Sequence, residues 1–256
     1  MVPRTRRQAH NSHFSILLDN LHDVIYIREK KVAPNDYYDR ITRAVEQPLS
    51  TDQIKQLVQL LESPDASNCR KLPTHVFSSV CGLVIDAEQC LAKERGLYLL
   101  TESFRPCPEY EEIEDSQQLS PTENQRKKEI GAKVLGKLVD SFIDTHNLER
   151  PRRWAGLFVL ELLKKSESNV IILLNSPEAR RRALGDLILT DDNALLKVIS
   201  GQIIRNIVEF AESPQIFWPT NATDEAINTF PQASDSHSRW VKDFTSYCTN
   251  LLPLPD

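Results

Sequence analysis

The sequence predicts an all-α fold, and three observations carry that prediction. Apolar residues recur at three- and four-residue spacing through most of the 256-residue chain. Prolines number fifteen against seven glycines, and they fall mainly between the apolar-periodic segments, where they punctuate helices. No segment sustains the alternation of a half-buried strand; the short run VIILL at 170–174 has strand-like composition, but its flanks are helical and it reads as helix.

Taken in order, a first helix is expected from about Ser12 to Lys30, with Leu17, Leu18, Leu21, Val24 and Ile25 at helical spacing. Shorter helices follow near Asp36 to Glu46 and Asp52 to Glu62, the second introduced by Ser50-Thr51-Asp52-Gln53, a capping box. From Thr74 to about Phe104 a long segment sets Val76, Val80, Leu83, Val84, Ala87 and Leu91 on one face, with a break or bend expected at Gly96. Residues 12–104 thus read as irregular helices. Residues 105–121 hold three prolines and five acidic residues between Glu109 and Asp115, have no periodicity, and read as a mobile acidic loop.

The next helix, Thr122 to His146, is introduced by Ser120-Pro121-Thr122-Glu123. Its apolar face is wide, with Ile130, Val134, Leu138 and Phe142 beside Leu135, Val139 and Ile143. Trp154 to Ala211 then reads as a long helix, two shorter helices and a second long helix, with Ser176-Pro177 as a cap between the short ones. The cores of the two long helices, Phe158 to Leu163 and Ile203 to Val208, are similar and lie 45 residues apart. After Ala211 a proline-broken linker, SPQIFWPTNAT, leads to a helix from about Ser236 to Leu251, whose Trp240, Phe244, Tyr247 and Leu251 share one side and are expected to cap the stack.

The 45-residue offset falls within the roughly 40 to 47 residues of HEAT and armadillo units. Residues 154–211 resemble the armadillo repeat family, whose third helix often carries Ala-Leu-x-Asn-Leu-Ala; the matching positions are Ile203-Ile204-Arg205-Asn206-Ile207-Val208. HEAT-like packing satisfies nearly the same pattern. The resemblance implies one right-handed α-solenoid over residues 1–256, with 122–211 as its repeats and 236–251 as its capping helix. It also implies that Asn206 points into a concave groove and bonds the backbone of an extended peptide. In the preceding long helix the equivalent position is Glu161, and Asn175-Ser176-Pro177 replaces the glycine expected between first and second helices.

Composition narrows the function classes. A net charge of −5 and a pI near 5.8 disfavour duplex nucleic acid as the main partner. The five cysteines, Cys69, Cys81, Cys90, Cys107 and Cys248, show no CxxC pair and read as reduced thiols of an intracellular protein. The N-terminus MVPRTRRQAH lacks a following apolar core, and no run of about 18 apolar residues occurs, so neither secretion nor a membrane partner is expected. Its arginines slightly favour the nucleus over the cytoplasm. The sequon Asn221-Ala222-Thr223 is expected to stay unused. The ending LLPLPD is expected to be that of the N-terminal domain of a longer polypeptide or of a shortened chain.

Six scattered histidines, no glycine-rich phosphate loop and no nucleophile or paired-carboxylate constellation argue against an enzyme, a cofactor or a metal. His75, Cys81 and Cys90 share one helical region and read as structural. The expected role is a scaffold or adaptor that binds a peptide or helix of another protein. Its groove would be formed by Trp154, Glu161, Arg205 and Asn206, through amide bonds and cation–π contact; solvated or interhelix roles are the alternative for Glu161 and Asn206. Two arginine clusters, Arg150, Arg152, Arg153 and Arg180, Arg181, Arg182, could hold phosphate, a nucleic-acid backbone or an acidic peptide, or be solvated faces. The acidic loop folding onto one of them is a further possibility. A homodimer paired through the Trp240 helix is a third reading. Four Ser-Pro pairs, at Ser63, Ser120, Ser176 and Ser213, are possible sites for proline-directed kinases, with Ser120 the expected regulatory one.

Overall fold

Ser50 opens the first described helix as its sequence predicts. Its side chain accepts from the backbone N–H of Gln53, and Gln53 Oε1 accepts from the Ser50 N–H at 2.8 Å, so two orphan donors of the helix start are satisfied reciprocally. The structure, a computed structural model, describes residues 50–62, 72, 74–88, 91–104, 121–231 and 236–251. The helices expected at 12–30 and 36–46, the acidic segment at 109–115, and Ser63, Ser120, Cys69, Cys90 and Cys107 lie outside them. All regular structure among the described residues is helical. Packing divides the chain into two compact units, Met1–Ser116 and Gln117–Asp256.

In the first unit α1 (Thr51–Leu61) and α2 (Thr74–Ile85) both pack on α3 (Leu91–Glu102). The segment from Thr74 to Phe104 is two helices, the first ending at Ile85 and the second beginning at Leu91, and it is neither broken nor bent at Gly96. Gly96 lies inside α3, where a Cβ would come within 2.8 Å of Val84 on α2 and 3.2 Å of Val58 on α1. Glycine is there for close helix contact, not for a turn. The end of α2 is held by Lys93, buried in α3, whose Nζ donates to Ala87 O at 3.2 Å.

The second unit begins with α4 (Pro121–Ile143), followed by α5 (Glu149–Leu163), α6 (Glu167–Leu174), α7 (Glu178–Thr190) and α8 (Ala194–Val208). The apolar face expected on α4 is buried at Ile130, Val134, Leu135, Leu138, Val139 and Phe142, and it packs against α5, α6 and α7. The VIILL run is helical, within α6. The similar cores of α5 and α8 bury matching positions: Phe158 and Ile203, Val159 and Ile204, and Leu162 and Ile207 are each at most 1% exposed. Helix α7 begins after Pro177 as its N-cap rather than at Ser176, because Ser176 gives its carbonyl to Arg181 and no side-chain cap forms.

Two buried cations fix the ends of α5. At its N-terminal end Arg152, 5% exposed, donates from Nε to Phe142 O on α4 at 2.9 Å and from Nη2 to Asp191 at 2.7 Å, just before α8. At its C-terminal end Lys127 of α4 donates from Nζ to Glu161 O at 2.8 Å and Lys164 O at 2.9 Å, satisfying carbonyls that the helix leaves open. The chain then turns through Lys165 at φ 56° into α6. There the fully buried Asn169 donates to Leu162 O at 2.8 Å and Lys127 O at 3.1 Å, and it fits because Gly131 on α4 has no side chain in its way.

Residues 212–231 are not a plain linker. A 3₁₀ turn (Pro214–Phe217) packs on α7 and buries Phe217 and Trp218, and α9 (Asp224–Asn228) adds Ile227, with Phe230 buried after it. These form an aromatic cluster with α10 (His237–Leu251): Phe230 lies 5.7 Å from Trp218 and from Tyr247, and Trp240 stacks on Phe244 at 4.9 Å. Tyr247 Oη donates to Ala226 O at 2.7 Å, and burial pushes its hydroxyl pKa up.

Removing Arg152 leaves the Asp191 carboxylate and Phe142 O without their partner in a desolvated place. Arg152→Ala is expected to lower unfolding stability by about 3–5 kcal/mol in urea titrations. By contrast, Arg182→Ala, which removes an i,i+4 pair with Glu178, is expected to cost only about 0.5 kcal/mol.

Candidate functional site

Helices α5 and α8 lie side by side and run parallel. Arg152 meets Asp191, just before α8, and one turn on, Gly156 packs against Ile199, so position advances together along both helices. Opposite the buried face, helical spacing places Arg150, Arg153, Trp154, Leu157, Glu161 and Lys164 along one stripe of α5. Arg150 and Lys164 are exposed and the other four half-buried. Five of these positions recur on α8 45 residues on, at Leu195, Val198, Gln202, Asn206 and Glu209, all exposed or half-buried; the position matching Trp154 is the buried Ile199, and the half-buried Arg205, which matches Leu160, borders the stripe.

The four residues expected to form a groove therefore fall on two adjacent helices, each with its own local partner. Arg153 lies over the Trp154 ring, 5.3 Å from its centroid. The Glu161 carboxylate acts on Lys127, where it favours the charged form. Asn206 is exposed and donates from Nδ2 to Gln202 O of its own helix at 2.8 Å. Arg205 lies over Trp240 of α10, 5.3 Å from the ring centroid.

Helix α10 borders α8 on the other side and runs antiparallel to it. Trp240 meets Arg205, Phe244 meets Gly201 and Cys248 lies near Lys197, one contact per turn. Its aromatic face is spent on this contact: Trp240 and Phe244 are 0% exposed and Tyr247 5%. The dimer expected through the Trp240 face is therefore replaced by packing within the chain, since that face has no area left for a second copy.

The arginine clusters are largely engaged inside the unit. Arg152 is buried in its bonds to Phe142 O and Asp191. Arg180 grips Asp140 on α4 through two bonds of 2.6 and 2.7 Å, and this pairing raises its pKa further. Arg181 donates to Leu174 O at 2.6 Å and to Ser176 O, closing the end of α6, and Arg182 pairs with Glu178. Consecutive residues on a helix point in different directions, so Arg180, Arg181 and Arg182 reach three different partners. Arg150 is exposed at the start of α5.

Sequence reasoning passed over Asn169 and Lys127, which hold the joint of α4, α5 and α6. The signal for Asn169 was slight: a polar residue in a short link between apolar helices. Lys127 gave none, since exposed lysines are common on helices. Among the described residues no group of three or more His, Cys, Asp or Glu is placed to hold a metal, and no helix is long and apolar enough to cross a membrane.

Desolvation lowers the pKa of Lys127 from 10.5 to about 8, with the Glu161 charge opposing the shift. Between about pH 8 and 10.5 the unfolded chain holds this proton while the folded chain releases it, so this residue's contribution to stability rises with pH across that window. Thermal melts from pH 7 to 10 are expected to improve for the parent protein relative to Lys127→Met, and an equal gap at every pH would show that the ammonium is not desolvated. No protein-family model, curated protein or solved structure is significantly similar to the chain.

Proposed function

We propose that the unit Gln117–Asp256 is a non-catalytic docking module that takes an extended peptide or a helical segment of a partner protein across the exposed stripes of α5 and α8. In this reading the unit is an armadillo- or HEAT-like right-handed superhelix, closed at one end by α10, that attaches a nuclear or cytoplasmic assembly. One observation carries it: the two helices are parallel neighbours whose buried positions repeat at 45 residues, and the outward pairs Arg153/Val198, Leu157/Gln202 and Glu161/Asn206 recur at the same offset, with Trp154 standing beside them on α5 alone. A packed interior that repeats keeps the outer groups at fixed spacing, which suits the repeating backbone of a bound segment.

Each group has a role in that mode. Trp154 and Leu157 supply apolar anchor area, and Gln202 and the exposed Asn206 supply amides for a peptide backbone. Arg150, Arg153 and Lys164 line α5 while Glu161 is answered by Lys127, so the α5 side favours acidic residues in the partner. The cluster Arg180, Arg181, Arg182 offers a nucleic-acid backbone less than its density in sequence indicates, because its guanidinium groups are bonded within the unit.

The test is selection of peptides from a displayed library on the native protein, followed by titration against variants whose melting temperatures match the parent. Trp154→Ala is expected to weaken the selected peptides about tenfold or more, and Gln202→Ala with Asn206→Ala by a similar factor together. Peptides that bind all these variants as tightly as the parent would place recognition elsewhere and remove this reading.

A further inference from the structure

We propose that Ser213 is a phosphoacceptor for a proline-directed serine/threonine kinase, on a surface stretch distinct from the α5 and α8 stripes. Two described Ser-Pro pairs, Ser176-Pro177 and Ser213-Pro214, are the same in sequence, and both serines are half-buried between exposed neighbours; they differ at the hydroxyl and in what holds the backbone around it. Ser176 Oγ is buried, and its carbonyl is held by Arg181 at the link between α6 and α7. A kinase reaches that hydroxyl only by opening the joint.

Ser213 stands in the stretch between α8 and the 3₁₀ turn. Its neighbours Glu212, Pro214 and Gln215 are exposed, as is Phe210, at 53%. Its backbone is extended, with φ −155° and ψ 137°, the form in which a substrate strand is threaded through an active site. Pro214 comes directly after it, and its missing N–H leaves no donor to be stranded in an apolar +1 pocket. The Ser213 hydroxyl bonds locally to Gln215, donating to Oε1 and accepting from the backbone N–H at 3.4 Å.

The turn on the C-terminal side of the acceptor yields easily. Pro214–Phe217 is four residues long and closes on Ile216 N to Ser213 O at 3.5 Å and Trp218 N to Gln215 O at 3.1 Å. Phe217 and Trp218 anchor it from below, so it can open at its exposed start while the aromatic core stays in place. In the transfer, Ser213 Oγ attacks the γ-phosphorus of a nucleoside triphosphate and an Oγ–P bond forms. The bond from that phosphorus to the β,γ-bridging oxygen breaks, the diphosphate leaves, and the hydroxyl proton passes to the kinase's carboxylate base. The product carries about −1.5 to −2 charges at neutral pH. It stands at the N-cap of the turn, where the Gln215 N–H already points.

The experiment treats the folded full chain with a purified MAP-kinase-class enzyme and ATP, and reads position and extent by tandem and intact mass spectrometry. Ser213 is expected to be phosphorylated in the native protein while Ser176 is not, and Ser213→Thr, which keeps a hydroxyl cap, is expected to be phosphorylated as well. Pro214→Ala, with helical content checked by circular dichroism, is expected to slow modification about tenfold or more. Labelling of Ser213 only after unfolding in urea, no labelling at all, or a Pro214→Ala variant modified at the parent rate would each overturn the proposal.

Discussion

Burying a cation requires that oxygen atoms stand where its protons point, and this requirement at both ends of α5 organises the second unit. Arg152 gathers the end of α4, the start of α5 and Asp191, the C-cap of α7, around one guanidinium. Lys127, 7% exposed, does the same for the other end of α5, with Asn169 bonding the carbonyl of Lys127 itself. Apolar burial supplies the larger share of the driving force, but it is tolerant of sliding and rotation. The buried polar groups are not tolerant, since a displaced partner leaves a desolvated charge. They therefore determine where α4, α6 and α8 meet α5.

The consequence for the surface is a fixed register. With α5 and α8 held parallel from the Arg152 end and α8 fixed on its other flank by the aromatic side of α10, the outward groups of both helices have little freedom to change spacing. Arg205 shows the coupling directly, because it borders the α8 stripe and also lies over Trp240 of α10. A stripe built on rigid helices presents amides and charges at lower entropic cost than the same groups on a loop. The molecule's usable feature, if it is a docking module, is that spacing.

Helical character, the long apolar faces and the matched cores of α5 and α8 were legible because 3.6-residue periodicity is local and repeats over many turns. The C-terminal helix was legible for the same reason, and the capping box at Ser50 because Ser at the N-cap with Gln three positions on is a local residue-type signal. The end of the helix at Ile85 was not legible, because Gly96 reads as a helix breaker until a neighbouring helix is known to lie against it. Residues 212–231 misled in the opposite way: their prolines read as linker, yet Phe217, Trp218 and Phe230 were the residues that the aromatic helix needed as partners. The arginine triplet at 180–182 looked like one patch because sequence shows adjacency, whereas a helix turns neighbours about 100° apart and sends them to different partners.

What the sequence alone determined is that the described segments are helical and which side of α4, α5, α8 and α10 faces inward, since both depend on which residues recur at helical spacing within one segment. Only the tertiary structure decided which helices are neighbours, that α5 and α8 run parallel while α10 runs against α8, and which charges remain at the surface. Those outcomes depend on pairs such as Arg152 with Asp191, 39 residues apart, and Lys127 with Lys164 O, 37 residues apart. A charged side chain carries no mark in sequence of the oxygen that will satisfy it, so its place in the core or at the surface becomes known only when the chain has closed around it.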